Sequence, residues 1–197
     1  MKFSLAFARN GVNDRTMFDY SIERYTATLS VADFIAEFRD TDRVGELCRA
    51  CDNYGKSWCC PPFDFDVEQR LRDYDTVDIF ATRIIPTKRD IPISELPKLI
   101  YDERIQSEQK LLELERRFGG VSCAFVGECL HCKGESCARL CARPCRYPQL
   151  MRHSLESYGF DVAKTIKSLF EIELKWSKEG MIPEYIVLVS ALFYNNM

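Results

Sequence analysis

Cysteine content constrains this chain more than any other feature of its sequence. Ten cysteines occur between residues 48 and 145, in two groups separated by one isolated residue: Cys48, Cys51, Cys59 and Cys60; Cys123; Cys129, Cys132, Cys137, Cys141 and Cys145. No secretory signal is evident at the N-terminus, so we expect neither an oxidising compartment nor a disulfide framework. In a reducing cytoplasm, thiols clustered at short spacings are more often metal ligands than cross-links. The cysteines therefore predict a cytoplasmic protein with thiolate metal sites.

Composition places the chain among ordinary globular proteins. It has 197 residues, 46% hydrophobic and 29% charged, which predicts one cysteine-rich domain over residues 1–197. The net charge of −3 supplies no basic field for nucleic acid or for an anionic membrane, so neither partner is expected. The longest apolar stretch, 186–194, is about half the length that a bilayer span requires.

Apolar periodicity predicts several helices. Ser30 is the predicted N-cap of a helix with Val31, Phe34, Ile35 and Phe38 on its buried face, and Val44 and Leu47 continue an apolar face beyond it. A short helix is expected after residue 65. The longest helix covers 93–118, with Ser94 as N-cap and Gly119–Gly120 as its end. Two more are predicted, over 149–158 and from an N-cap at Asp161.

Apolar runs predict three strands, which alternate with these helices. They lie at 77–85, 121–126 and 185–193, and the last is apolar enough to be buried on both faces. The expected fold is α/β: a small mixed sheet covered by helices, with two Cys-rich metal-binding loops. We call residues 48–62 the front loop and residues 127–148 the rear loop. Because each follows a core element, we expect them near each other at the same end of the sheet.

The rear loop carries the stronger metal signal. It reads Cys129-x2-Cys132-x4-Cys137-x3-Cys141-x3-Cys145. Two thiolates separated by two residues can bind one centre from a single tight turn. Bacterial ferredoxins use such runs for a cubane cluster, and zinc ribbons use C-x2-C pairs, so both centres remain open. From residue 129 to residue 152 there are five basic residues and one acid, a charge that would stabilise an anionic four-thiolate centre.

The front loop resembles an incomplete version of the same site. Cys48 and Cys51 form another C-x2-C pair, and Cys60 follows, held out of helix by Pro61 and Pro62. These three thiols are one short of a four-ligand centre. Cys59 and Cys123 are better explained as unligated core thiols, since free cysteine behaves as a small buried hydrophobe.

Both loops resemble a known family. The front loop reads Cys48-x2-Cys51-x2-Tyr54-Gly55-x2-Trp58-x-Cys60-Pro61-Pro62, and the rear one has Gly127-x-Cys129-x2-Cys132 with Pro144-Cys145-Arg146-x-Pro148. A third block follows, Ser154-x-Glu156-x2-Gly159-x-Asp161-Val162. These motifs resemble the DUF2284 family of predicted metal-binding proteins. The resemblance implies metal binding and an iron–sulfur cluster, and it supplies no established reaction. Cys137 and Cys141 are alternatives for the third rear ligand.

Three functions follow from these residues. The first is an iron–sulfur protein with one or two [4Fe–4S] clusters, acting in electron transfer with a redox partner protein or as a redox accessory factor. The second is a zinc protein whose metal only fastens two loops to the core. The third, a thiol oxidoreductase, lacks the strand–CxxC–helix context at Cys48.

Predicted site residues follow from the first of these functions. The predicted metal ligands are Cys48, Cys51, Cys60, Cys129, Cys132, Cys137, Cys141 and Cys145. The front cysteines would complete the rear centre or hold a second one with an open metal position, and an open position can bind substrate. Tyr54, Lys56 and Arg146 would be the nearest polar groups, able to hold an anionic ligand there. The sequence identifies no catalytic residue.

Overall fold

The computed structural model describes residues 4–11, 18–124, 127 and 129–196, and it places five strands of these ranges in one sheet. The strands are β1 (Ser4–Gly11), β2 (Tyr20–Ser30), β3 (Thr76–Pro86), β4 (Val121–Cys123) and β5 (Ile186–Tyr194). Their order is β1-β2-β3-β5-β4. All of these pairings are antiparallel, so the prediction of a mixed sheet was wrong. The helices that connect β3, β4 and β5 reposition the chain so that neighbouring strands of the described sheet run antiparallel.

Five α-helices accompany the sheet in the described ranges. They are α1 (Val31–Phe38), α2 (Thr41–Arg49), α3 (Val67–Leu71), α4 (Leu96–Phe118) and α5 (Val162–Phe170). Side-chain caps start four of them. Ser30 accepts from the Asp33 amide and Asp161 from that of Lys164, as the sequence predicted, and Asp40 and Asp66 cap α2 and α3 in the same way. Within the described ranges, no helix combines the length and apolar character needed to cross a bilayer.

Helices cover both faces of the sheet, which explains why β5 is buried almost throughout, as predicted. On one face, Phe34 of α1 and Ile166 of α5 join a core that includes Val189 and Phe193. On the other, α4 packs through Leu99 against a smaller cluster. The sheet is therefore the middle layer of three.

Four local predictions need correction. Leu47 is 62% exposed, because α2 buries only Val44. Ser94 lies in a short 3-10 turn (Ile93–Glu95), and α4 begins after it.

The predicted helix over 149–158 is instead irregular chain ending in one 3-10 turn, Glu156–Tyr158. Here His153 forms an isolated β-bridge with Cys123, and the His153 carbonyl accepts a hydrogen bond from the Ala124 amide. Pairing with the end of β4 therefore replaces the hydrogen bonds of a helix. The predicted strand 121–126 ends at Cys123, and its residues 125 and 126 lie outside the described ranges.

Candidate functional site

Four rear-loop cysteines line one cavity. Cys129, Cys132, Cys137 and Cys145, which we call the rear thiol set, surround a space of about 280 Å³. Cys141 is exposed and does not line this space, because it ends a 3-10 turn (Ala138–Cys141) that leads away from Cys137. The two alternative third ligands therefore differ in position: Cys137 lines the cavity with the other thiols, whereas Cys141 is exposed to solvent.

Cations surround the rear thiol set. The Arg146 guanidinium donates to Cys132 Sγ at 3.5 Å and to the Ser136 carbonyl at 2.9 Å, and its second nitrogen lies 3.4 Å from Glu135. Lys56, from the front loop, lines the same cavity. A positive group beside a sulfur stabilises its thiolate form and any anionic centre built from thiolates.

Arg139 connects the two loops. Its guanidinium donates to three front-loop carbonyls, those of Ser57 (2.8 Å), Cys60 (2.6 Å) and Pro62 (2.6 Å), and lies over the Trp58 ring, 5.1 Å from its centroid. The Trp58 indole N–H in turn donates to the Arg143 carbonyl at 2.9 Å. These contacts confirm that the two loops lie against each other.

Cys59 is buried as predicted, but it makes a contact that the sequence did not reveal. It is buried, and its sulfur lies 2.9 Å from the Ser57 hydroxyl. Hydrogen bonding with Cys129 lowers the pKa of Cys59, whereas bonding with Cys60 and burial raise it, to about 11 overall. The same contact with Cys59, together with burial, raises the pKa of the Cys129 thiol. Cys59 is therefore a core thiol, as expected, and also touches the rear thiol set. Nothing in the local sequence signals that contact.

The remaining front cysteines, Cys48, Cys51 and Cys60, form the front thiol set. Hydrogen bonding with Cys59 lowers the pKa of Cys60, against burial and against the charges of the other two thiols, so the three are close enough to influence one another. The Cys48 thiol donates to the Glu156 carbonyl at 3.7 Å. Tyr54 lines a separate cavity of about 170 Å³ with Cys48, so the fold separates Tyr54 from the cavity that Lys56 lines.

Helix α4 contacts the rear loop and the segment after it through partly buried carboxylates. Glu108 lies 3.8 Å from the His131 imidazole and 3.7 Å from the Arg104 guanidinium. Glu115 binds Arg152, accepting from its Nε at 2.7 Å, and also accepts from the Ser122 hydroxyl at 2.6 Å. The contacts of Glu108 with His131 and of Glu115 with Arg152 therefore connect α4 to the rear loop and to the chain just after it.

The rear thiol set suits a thiophilic metal by chemistry and placement, since four sulfur donors line one cavity and the Arg146 guanidinium donates to one of them. In the described ranges, however, no group of three or more His, Cys, Asp or Glu side chains has the geometry to hold a metal ion. Cys123, the isolated cysteine, is fully buried beside β5, and burial raises its pKa.

Comparison with curated proteins returned no match, and comparison with solved structures returned none either. One family matches residues 35–193, a range that contains both loops and every predicted ligand. The chain belongs to DUF2284, a family described as predicted metal-binding proteins.

Proposed function

We propose that the rear thiol set holds a [4Fe–4S] cluster and that the protein works in electron transfer or as a redox accessory factor. The observation that carries this proposal is the shared cavity of Cys129, Cys132, Cys137 and Cys145. Membership of a predicted metal-binding family supports a metal in general. The thiols must stay reduced to bind it, so the proposal places the protein in the cytoplasm.

The cations beside the thiols favour an anionic four-thiolate centre. A cubane on four thiolates would supply one-electron chemistry at a net negative centre, and its potential depends on nearby charges and donors to sulfur. Arg146 already donates to one of these sulfurs, and Lys56 brings a second cation. In this proposal the two side chains stabilise the thiolates and orient the loop, while the Trp58 indole covers the front-loop side.

Zinc is the second candidate, and the contact between the loops favours it. Arg139 and Trp58 already fasten the two loops together, and a closed four-thiolate zinc site at the same place would complete a purely structural clamp. In that case the loops would form an interaction surface, and the metal would supply folding free energy alone.

The second part of the proposal concerns the front thiol set. Because the rear thiol set already supplies four thiolates, the front set would hold a further centre with three protein thiolates. Cys51 is exposed and Cys48 half-buried, so a ligand could reach this set from solvent. Tyr54 lies beside Cys48 and is placed to contact such a ligand.

The decisive experiment compares two cysteines of the same turn. The protein is purified anaerobically, its visible spectrum is recorded, and iron, acid-labile sulfide and zinc are assayed. Cys137→Ser should lose most of the metal, because it removes a cavity-lining donor. Cys141→Ser makes the same chemical change four residues later at an exposed site and should keep wild-type stoichiometry.

Each result bears on a separate part of the proposal. Equal metal loss in both variants, or loss only in Cys141→Ser, would overturn the ligand set. A colourless wild-type protein with stoichiometric zinc would replace the iron–sulfur assignment with the structural one. For the front thiol set, Cys48→Ser and Cys60→Ser should lower the iron count, and unchanged iron in both would remove that set from the proposal.

A further inference from the structure

Helix α4 meets the sheet through two different surfaces. Near its N-terminus, Leu99 and Ile100 pack against Ile22, Ile84 and Leu188 in an apolar cluster. The following turns are held away from the sheet, and a cavity of about 240 Å³ lies between them and the middle of β2, β3 and β5. The interface between α4 and the sheet is thus filled by apolar side chains near the start of the helix and contains a cavity farther along it.

The sheet wall of this cavity is polar where a core interface is normally apolar. The strand register aligns Thr26, Phe80 and Ser190 in one row across three strands, and Arg24 and Thr82 in the next. Ser190 interrupts the apolar run of β5 and is only 5% exposed. The hydroxyls on this wall can form hydrogen bonds with a ligand in the cavity, which aliphatic side chains could not do.

Charge in the cavity favours an anion. Glu103 is 6% exposed and is neutralised by Arg24, whose guanidinium donates to it at 2.9 Å. Lys110 lies at the mouth with its ammonium 5.6 Å from the Phe80 ring centroid, and among the described residues no carboxylate forms an ion pair with it. One positive charge is therefore left in excess, beside an aromatic ring.

We propose that this cavity binds a small carboxylate with an apolar body. The carboxylate would pair with Lys110 and accept hydrogen bonds from hydroxyls such as that of Ser190, while the body would lie on Phe80 and the Leu111 and Leu114 side chains of α4. The volume is below the range of roughly 300–1,000 Å³ typical of drug-sized ligands, so the acid is short or carries a single ring. This site is separate from the thiol cavity and does not depend on a metal.

The test uses three probes of one length: hexanoate, hexan-1-ol and hexylamine. Each is titrated into the full chain by protein-observed NMR, and hexanoate should bind best and hexylamine worst. Lys110→Met keeps the aliphatic stem and removes the charge, so it should weaken hexanoate by about tenfold or more, the usual effect of a lost charged hydrogen bond. Ser190→Ala should weaken it several-fold.

Lys98→Met is the matched control. It removes the same charge from the same helix, where Lys98 pairs with Glu95 away from the cavity, and should leave hexanoate binding unchanged. Equal affinity for hexylamine, equal weakening by Lys98→Met, or no hexanoate binding up to its solubility would each overturn the proposal. Lys110 is exposed, so its replacement tests binding without unfolding the protein.

Discussion

Replacement of Arg139 should separate the two cysteine loops. In Arg139→Met the aliphatic stem remains, while the three hydrogen bonds to the Ser57, Cys60 and Pro62 carbonyls and the contact with the Trp58 ring are lost. The front loop would then be held to the rear one mainly by the Trp58 and Asn53 hydrogen bonds.

The expected magnitude follows from these contacts. A hydrogen bond from a charged donor contributes about 1.5–3 kcal/mol, and an exposed cation–π contact about 0.5–1 kcal/mol. The freed carbonyls recover water, because the surrounding chain is only half-buried, so the contributions do not add in full. We expect a loss of about 2–4 kcal/mol, a large share of the roughly 5–15 kcal/mol that stabilises a domain.

The assay is anaerobic urea unfolding of the purified protein, followed by circular dichroism, with hydrogen exchange of the front-loop amides as a local readout. Arg143→Met is the control, since it removes the same charge from the same loop without removing contacts of the kind Arg139 makes. Arg139→Lys should recover part of the loss, because an ammonium can reach one carbonyl but lacks the planar fork. Unfolding free energies within about 0.5 kcal/mol for the two Met variants would refute this reasoning.

Three further predictions concern the scaffold. Cys123→Ala should leave the metal content unchanged and cost about 1 kcal/mol of unfolding free energy, because the thiol is buried in the core and lines neither cysteine cavity. Metal loss in this variant would contradict this assignment. Burial would raise the pKa of Glu115, but hydrogen bonds from Arg152 and Ser122 outweigh it and lower that pKa in the folded protein. The ionised carboxylate therefore stabilises the fold in full above its unfolded pKa, and this contribution is lost as the pH falls through the lower folded pKa. Glu115→Gln should accordingly flatten the acid limb of stability measured against pH, and an unchanged limb would disprove it. Gly120→Ala should destabilise by about 1–3 kcal/mol in thermal unfolding, because its Cβ would lie 2.2 Å from the Phe193 carbonyl oxygen, whereas Gly45→Ala, which meets nothing closer than 3.4 Å, should be neutral or stabilising.

Local chemistry was predictable where neighbouring residues decide the outcome. Ser30 and Asp161 start helices as expected, because a cap depends on residues three positions away. The β1–β2 hairpin was not predicted, and β2 shows why: Arg24 and Thr26 occupy its cavity-facing side, so apolar and polar residues do not alternate cleanly.

Long-range contacts also limit how much of the site can be predicted from the sequence. Both loops could be predicted from cysteine spacing, and their adjacency from their place after core elements. The contact between Cys59 and Cys129 could not, because it joins positions seventy residues apart through the fold alone. The burial difference between Cys137 and Cys141 likewise depends on where one 3-10 turn ends.

The strand order has a consequence for synthesis on the ribosome. β5 comes after every other strand of the sheet in the chain, yet it lies between β3 and β4 and is the strand with which β4 pairs. While β5 is still inside the exit tunnel, β4 has no neighbour to pair with, so the strand that leads into the rear loop is not yet part of the sheet. Sheets closed by such distant pairings fold slowly. The rear cysteines are therefore exposed to solvent as nascent chain before β5 completes the sheet.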